Sequence, residues 1–241
     1  MAFNSPSNRE PWRSASGDAG VAIDVGLRQY MLRVYNFMAG GLAVTGAVAY
    51  LAVATGFYQA IAGTPLIWLV LLAPLGAVLF LSFQIENMSA GAAQATFWGY
   101  AAVMGLSLAG IFVVFTGASI ARVFFISAAT FGAMSLYGYT TRRDLSQFGS
   151  FLFMGLIGVV LASLVNIFIS SSALQFVISV VGVLVFTGLT AWDTQRIKEV
   201  YLASDSGEVL AKKALMGALA LYLDFINLFV MLLQLTGQRR E

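Results

Sequence analysis

The sequence predicts an all-α, polytopic membrane protein that folds as a bundle of seven transmembrane helices. Composition is the first reason: 59% of the 241 residues are hydrophobic and only 10% are charged, whereas a soluble globular domain carries about 25% charged residues. The second reason is the length of the apolar runs, because a helix needs about 20 mostly apolar residues to cross the hydrocarbon core. The seven runs found here are far longer than buried strands.

The seven predicted helices take up almost the whole chain after a polar N-terminal segment. They cover residues 34–57, 66–83, 93–115, 120–139, 148–169, 174–192 and 214–235. Pro74 and Gly105 lie inside these runs, which is common in membrane bundles because small residues let helix backbones approach. On the first helix Ala39, Ala43 and Ala47 recur every four residues, and this spacing predicts a helix-packing surface.

The domain organisation is predicted from polarity. Residues 1–27 are expected to form a disordered cytoplasmic tail, and residues 28–241 a single transmembrane domain. The tail is rich in Ser, Gly, Arg and Asp, and it lacks the apolar segment of a secretory signal. The chain is expected in the cell inner membrane, surrounded by the lipid bilayer.

The placement of Lys and Arg predicts a cytoplasmic N-terminus, because cytoplasmic loops carry an excess of basic residues. In that orientation ten of the 13 basic residues lie on the cytoplasmic side, namely Arg9, Arg13, Arg28, Arg33, Arg142, Arg143, Arg196, Lys198, Lys212 and Lys213. The other three, Arg122, Arg239 and Arg240, lie on the opposite side. Seven crossings place the C-terminus outside, although the last two arginines leave open a re-entrant final segment with both ends inside.

Several classes of function are excluded by residues that the chain lacks. There is no Cys and no His, which removes disulfides, thiolate nucleophiles, most zinc sites and every catalytic mechanism that depends on histidine. Phosphate-binding glycine loops are also missing. The basic residues lie between apolar runs instead of in one patch, so nucleic acid is not an expected partner. We therefore expect a protein that is not an enzyme and has no resident cofactor.

Asp224 is the most informative single residue of the sequence. It lies in ALALYLDFINLFVMLLQL, residues 218–235, where an ionised carboxylate costs at least ~2.5 kcal/mol. Such a group is expected to face the bundle interior and to hold a proton or have a partner. Asn227 follows one helical turn later and is a supporting polar candidate. The alternative interpretation is a protonated or hydrogen-bonded aspartate that only fixes helix packing.

Asp193 ends the sixth apolar run, in the segment TGLTAWDTQRIKE. Thr190 and Arg196 lie three residues before and after it, on one broad helical face. Helices six and seven are consecutive and antiparallel, and the loop between them is predicted over residues 195–213. If these helices pack, the carboxyl groups of Asp193 and Asp224 approach within hydrogen-bonding reach. The alternative is a solvated aspartate at a helix exit that pairs with Arg196.

Two carboxylates at such a distance cannot both ionise easily, so the pair is expected to share a proton. A bridging proton holds the two helices together, and its loss creates repulsion. Once deprotonated, Asp193 and Asp224 offer hard oxygen ligands of the kind that Ca²⁺ prefers. The pair is therefore a candidate pH sensor and a candidate metal site. Glu86 is a weaker candidate, because it lies in a predicted loop where a solvated charge is the simpler interpretation.

Three segments of the chain resemble the transmembrane Bax inhibitor motif family, of the Bax inhibitor-1 and YccA type, which includes bacterial members. They are residues 125–158, the segment AWDTQRIKE at 191–199 and the segment ALALYLDFINLF at 218–229. The resemblance implies a multi-pass helical bundle associated with a pH-sensitive calcium leak. It maps the paired aspartates of the family onto Asp193 and Asp224, which in that picture close the cytoplasmic end of a pore. Where some relatives carry basic residues at the end of helix two, this chain has Gln84 and Glu86.

Three functions remain open on the sequence alone. The first is a pH-sensitive cation leak channel with Ca²⁺ and protons as partners. The second is a regulator without transport that binds a membrane protease or another membrane protein. Some bacterial relatives in the family resemble regulators of a membrane-bound protease. The third is an intramembrane aspartyl protease, against which the residues Leu221, Tyr222 and Leu223 before Asp224 speak, because those enzymes have a Gly-x-Gly there.

Overall fold

The computed structural model describes residues 12–240, with side chains described from residue 25 onward, and it confirms the predicted all-α fold. Within this range the chain forms nine helices and one isolated antiparallel bridge, between Phe115 and Arg239. In chain order the helices are α1 (Trp12–Ala54), α2 (Phe57–Ala62), α3 (Leu66–Gln84), α4 (Ala90–Leu108), α5 (Gly110–Val114), α6 (Gly117–Thr140), α7 (Ser146–Ile169), α8 (Ser172–Glu199) and α9 (Gly207–Thr236).

Seven helical segments of the described chain are long and apolar enough to cross a membrane, as predicted. They are α1 from Val25 onward, α3, α4 together with α5, α6, α7, α8 and α9. The third crossing is interrupted at Ala109, which ends α4 and precedes α5. The short helix α2, which the sequence did not predict, lies in the connection between the first and second crossings.

Four of these helices begin at a Ser or Thr whose side-chain oxygen accepts a hydrogen bond from a backbone N–H of the first turn. These capping residues are Ser89 for α4, Thr116 for α6, Ser171 for α8 and Ser206 for α9. Caps of this type satisfy backbone donors that have no partner inside the helix. The N-terminus of α7 is stabilised from the preceding loop, where the Asp144 carboxylate accepts a hydrogen bond from the Ser146 backbone N–H, which lowers the pKa of Asp144.

The predicted loop over residues 195–213 is wrong, because α8 continues to Glu199 and α9 begins at Gly207. Hydropathy ends the apolar runs too early, since the last turn of α8 and the first turns of α9 are charged but helical. Lys213 shows how such a turn is stabilised. Its Nζ lies 2.6 Å from Asp205 Oδ2 and donates to the Val200 carbonyl at 3.0 Å.

The bundle is arranged around α9, which packs against α1, α4, α6 and α8 and is the most buried of the seven crossings. Helices α3 and α7 are the least buried and expose large apolar side chains, among them Leu72 of α3 and Phe151 of α7. A surface of this kind is stable in lipid, where apolar side chains need no water-facing polar cover. The inner helices are therefore α9 and, next to it, α8.

The predicted packing surface of Ala39, Ala43 and Ala47 is wrong, because all three residues are exposed. The buried face of α1 is rotated by about one residue from the face that carries these alanines. Its buried residues are Val34, Met38, Gly41, Thr45, Ala49 and Ala52. The close contact with α4 is made by Gly105, where a Cβ atom would lie 2.6 Å from the Thr45 carbonyl oxygen. The small residue that permits this contact is therefore on α4.

The loops lie at two opposite ends of the bundle, here called the Glu86 end and the Phe115 end. The Glu86 end contains residues 85–89, 141–145 and 200–206, and the Phe115 end contains residues 55–65, 115–116, 170–171 and 237–240. The C-terminal residues are held there, since Arg240 N donates to the Val114 carbonyl at 2.9 Å. Helix α9 thus crosses the whole bundle and does not re-enter. Residues 1–11 of the predicted tail lie outside the described residues, whereas residues 12–27, which were also predicted as tail, are helical and belong to α1. The orientation in the membrane remains a prediction.

Candidate functional site: a buried pair of aspartates

The rotation of α9 is set by aromatic contacts on two of its faces. Tyr222 faces α1, where its hydroxyl lies 2.6 Å from Thr45 Oγ1. Phe225 faces α6, where its ring centroid lies 5.6 Å from that of Phe131 in an edge-on arrangement. Because successive helical residues are about 100° apart, these two contacts leave Asp224 on the side of α9 that faces α8.

The aspartate-bearing turn of α8 is held by contacts with the neighbouring helices and loops. The Gln195 side chain donates to the Arg143 carbonyl at 2.9 Å and accepts from Leu145 N at 2.8 Å, so it fixes α8 to the loop between α6 and α7. One turn away, α6 approaches so closely that a Cβ atom on Gly138 would overlap the backbone carbonyl of Ala191. These contacts leave little freedom for the position of the Asp193 side chain.

The structure brings the two predicted aspartates together. Asp224 is 5% exposed and Asp193 is partly buried, and their carboxyl groups lie within hydrogen-bonding range of each other. Oδ2 of Asp224 is enclosed and has no hydrogen-bond partner among the described residues. Buried polar atoms are almost always hydrogen-bonded, and two ionised carboxylates in contact repel each other strongly where the dielectric constant is low. The arrangement therefore suits a pair that holds one proton between its members.

Thr190 and Asn227, the predicted supporting residues, make hydrogen bonds within their own helices. Thr190 is fully buried and its Oγ1 donates to the Phe186 carbonyl at 2.7 Å. Asn227 Nδ2 donates to the Leu223 carbonyl at 2.8 Å. Both bonds are of the local type that Ser, Thr and Asn form in helices, so neither residue has a described hydrogen bond to the pair.

Arg196 does not form the salt bridge with Asp193 that the alternative interpretation requires. Its guanidinium lies 5.3 Å from the ring centroid of Trp192, in a cation–π contact, and the ion pairs of the described residues do not include it. It lines the same cavity as Asp193. Arg196 is thus a nearby charge and not a direct partner.

A cavity of about 580 Å³ leads to Asp193 from the Glu86 end. It lies between α1, α8, α9 and the end of α3, and Glu86 is in its wall. Glu86 is exposed, as expected for a loop charge, and its backbone carbonyl accepts from Lys212 Nζ at 3.2 Å. Asp193 is therefore the member of the pair that the cavity reaches, and Asp224 lies behind it.

The pair is not surrounded by further metal ligands in the described part of the chain. No cluster of three or more Asp, Glu, His or Cys side chains occurs among these residues, whereas Ca²⁺ usually takes six to eight oxygen ligands. The predicted role of Asp193 and Asp224 as Ca²⁺ ligands remains a prediction.

Two residues that position the pair were missed at the sequence level. Gln195 and Tyr222 each lie within two residues of an aspartate, inside the segments 191–199 and 218–229 that carry the family resemblance. The sequence therefore shows that both residues lie near an aspartate. It does not show their partners, which lie on α1 and in the loop between α6 and α7. Contacts of this kind join residues far apart in the chain, and periodicity within one helix does not reveal them.

Comparison with known proteins agrees with the resemblance. A family model described as Inhibitor of apoptosis-promoting Bax1 matches residues 27–241. The inner membrane protein YbhL of Escherichia coli is 47% identical over 232 residues, which cover 95% of this chain and 99% of YbhL. An uncharacterized protein of Rickettsia prowazekii is 48% identical over 219 residues, with 90% and 93% coverage. One of Caulobacter vibrioides is 44% identical over 249 residues, with 97% and 98% coverage.

Proposed function

Because the chain belongs to the Bax inhibitor family, we propose that it is a pH-sensitive cation leak channel, with Ca²⁺ as the permeant ion. In this proposal the pair of Asp193 and Asp224 is the gate, meaning the point at which the pathway closes. The single observation that supports it most is the contact between two acidic side chains deep in a membrane bundle. The proposed location in the inner membrane rests on the seven apolar helices and on the similarity to YbhL, an inner membrane protein.

In the closed state one proton lies between the two carboxyl groups and holds α8 against α9. Loss of that proton leaves two negative charges side by side, and their repulsion in a low dielectric drives the helices apart. The freed carboxylate oxygens of Asp193 then face the cavity, where they attract a cation. The leak is therefore expected to increase as the pH rises.

A second barrier lies beyond the pair, toward the Phe115 end. There α9 buries Leu228, Phe229 and Leu233 in the bundle. Such packing leaves no room for a hydrated ion, and an ion that has lost its hydration shell is strongly disfavoured among apolar side chains. Opening therefore requires α8 and α9 to separate beyond the aspartates as well. The two helices are in close contact there, because Gly182 of α8 lies against the side chain of Met231 of α9.

The test is Ca²⁺ flux into liposomes that contain the purified protein and a Ca²⁺-sensitive dye, measured over a series of pH values. The variants are Asp193→Asn, Asp224→Asn and both together, because Asn keeps the size and hydrogen bonding of Asp but does not ionise. We expect the wild-type flux to rise with pH and the flux of each variant to be independent of pH. Asp144→Asn is the matched control, since Asp144 is an exposed loop residue at the same end, and it should behave as wild type.

Wild-type flux and pH response in the double variant would contradict the proposal. A folded protein that passes no Ca²⁺ at any pH would favour the regulator without transport. The aspartyl protease hypothesis would return only if the protein cleaved a transmembrane substrate and either Asp→Asn change abolished that cleavage. We propose neither a catalytic step nor a resident cofactor.

A further inference from the structure

A groove lies between α1 and α6 in the part of the bundle that spans the membrane. Both helices pack against α9, and a space of about 750 Å³ remains between them. Two small residues of its lining explain this space. Ala39 of α1 is exposed, and a Cβ atom on Gly132 of α6 would meet nothing within 4 Å. The side chains of the two helices therefore do not fill the gap between them.

The floor of this groove is apolar and buried, whereas its edges are exposed. Met31 and Met38 of α1 and Phe131 of α6 form the floor. Leu32 and Leu136 form the edges and are 51% and 64% exposed. Because both helices cross the membrane here, the exposed edges face the hydrocarbon of the lipid. The groove is therefore open to the bilayer.

The hydroxyl groups in the middle of the groove, on Tyr35 of α1 and Ser135 of α6, already have partners. The Tyr35 hydroxyl lies 2.5 Å from Ser135 Oγ, which lies 3.0 Å from Thr194 Oγ1 of α8. Thr194 Oγ1 donates to the Thr190 carbonyl at 2.7 Å, so each hydroxyl of this chain can donate to the next. A polar ligand would compete with these bonds, whereas a hydrocarbon chain leaves them intact. The middle of the groove therefore favours an apolar occupant.

The length of the groove matches one leaflet of the bilayer. From Arg28 it extends along α1 to Ala39, a distance of about 16 Å at a rise of about 1.5 Å per residue. Half of a hydrocarbon core is about 15 Å thick. The Arg28 side lies at the Glu86 end, because the neighbouring Gly26 closely approaches the Tyr201 hydroxyl in the loop over residues 200–206. An acyl chain that enters from this end therefore reaches the middle of the membrane.

The mouth of the groove, at the Glu86 end, carries a positive charge. Arg28 is exposed and is the one charged side chain among the described residues that line the groove. Tyr139 also lines this mouth, and tyrosine rings are common at the level of the lipid headgroups. A guanidinium binds two phosphate oxygens at once, and basic residues at the membrane surface attract anionic lipids. A phospholipid with a net negative charge therefore complements both the mouth and the apolar floor.

We propose that this groove binds one anionic phospholipid of the leaflet at the Glu86 end. One acyl chain lies along the floor against Met31, Met38 and Phe131, and the phosphate lies at Arg28. A chain in this position is enclosed by two helices, whereas lipids elsewhere touch only exposed helix surfaces. The bound lipid is therefore expected to stay with the protein when detergent removes the others.

The test is native mass spectrometry of the purified full-length protein in a mild detergent, titrated with phosphatidylglycerol or with phosphatidylcholine of equal chain length. We expect the binding of phosphatidylglycerol to saturate at one molecule per chain. Its apparent affinity should exceed that of phosphatidylcholine about fivefold, as expected for one basic residue near the membrane surface. If a second copy of the chain occupied the groove instead, the spectra would show a dimer that excludes the lipid, which would contradict the inference.

Two variants test the two parts of the site. Gly132→Leu places a side chain in the groove and should weaken the binding of both lipids about tenfold, because it displaces the apolar contact that one buried side chain makes. Arg28→Gln should remove the preference for phosphatidylglycerol and leave the binding of phosphatidylcholine unchanged. The matched controls are Gly46→Leu and Arg33→Gln, which change exposed residues of α1 outside the groove. Both should bind lipid as wild type does.

Thermal unfolding midpoints measured without lipid separate a lost site from a damaged fold. Gly132→Leu should stay close to the wild-type midpoint, because its side chain enters open space, and Arg28→Gln changes only an exposed residue. The inference is overturned if phosphatidylglycerol does not saturate at one molecule, if both variants bind it as wild type does, or if the controls lose it equally. It concerns lipid binding and does not depend on ion flux. A protein that binds the lipid but passes no Ca²⁺ would therefore contradict the proposed channel and leave this site standing.

Discussion

At the scale of single residues, the two aspartates of the pair have different surroundings. Asp224 is enclosed by the bundle, whereas Asp193 reaches the cavity at the Glu86 end. A proton or cation that enters from this end therefore meets Asp193 first. In the proposed channel Asp193 is the member that exchanges protons with water.

Thr190 and Asn227 show why polar residues at helical spacing are weak evidence for a site. Their spacing from the aspartates is that of a shared helical face, yet each bonds a carbonyl of its own helix. A hydroxyl or amide group can complete its hydrogen bonding within its own helix at little cost, whereas a carboxylate in lipid cannot. This is why the sequence identified both aspartates but assigned them partners that the structure does not provide.

At the scale of helices, the position of Asp193 depends on the close contact of α6 with α8. A Gly138→Ala change places a Cβ atom against the Ala191 carbonyl, which is backbone and cannot rotate away. Overpacking of this kind typically costs about 1–3 kcal/mol. We therefore expect the thermal unfolding midpoint to fall by several degrees.

Gly132→Ala is the control for that substitution, because Gly132 lies on the same helix and a Cβ there meets nothing within 4 Å. Its midpoint should be unchanged or slightly higher, since Ala favours a helix more than Gly does. Equal midpoints for the two variants would mean that the contact between α6 and α8 does not determine the stability of this region.

Helix ends were the part of the fold that the sequence predicted least well, and charge is the reason. A helix predicted from hydropathy ends at its first charged turn. Lys198 and Lys212 nevertheless lie in helical turns, and their ammonium groups donate to carbonyls of neighbouring elements. Lys198 Nζ reaches the Tyr139 carbonyl at 2.9 Å, and Lys212 Nζ reaches that of Glu86 at 3.2 Å. The apolar cores of the seven helices were predictable because lipid imposes them, whereas these contacts depend on which loops lie nearby.

At the scale of the whole molecule, the fold fixes which loops share an end but not which end faces the cytoplasm. The excess of basic residues predicts that the Glu86 end is cytoplasmic. The chain has no native cysteine, so a single cysteine introduced at either end is the one thiol available for labelling and shows which side of the membrane that end faces. Arg142→Cys tests the Glu86 end and Gln238→Cys tests the Phe115 end, and both positions are exposed.

We expect a membrane-impermeant maleimide to label Gln238→Cys in intact spheroplasts and to label Arg142→Cys only after permeabilisation. The reverse pattern would show that the charge bias misassigns the orientation. Labelling of both positions from the same side would contradict a bundle with seven crossings.

The proposed gate depends on one proton held between the two carboxyl groups. Infrared spectroscopy of the protein in bilayers detects that proton directly, through the carbonyl stretching band of a protonated carboxyl. We expect the wild type to show this band at neutral pH and to lose it as the pH rises. The band should change in both Asp193→Asn and Asp224→Asn, because neither keeps a second carboxyl to share the proton. A wild-type spectrum without the band, or a band that both substitutions leave unaltered, would contradict the account.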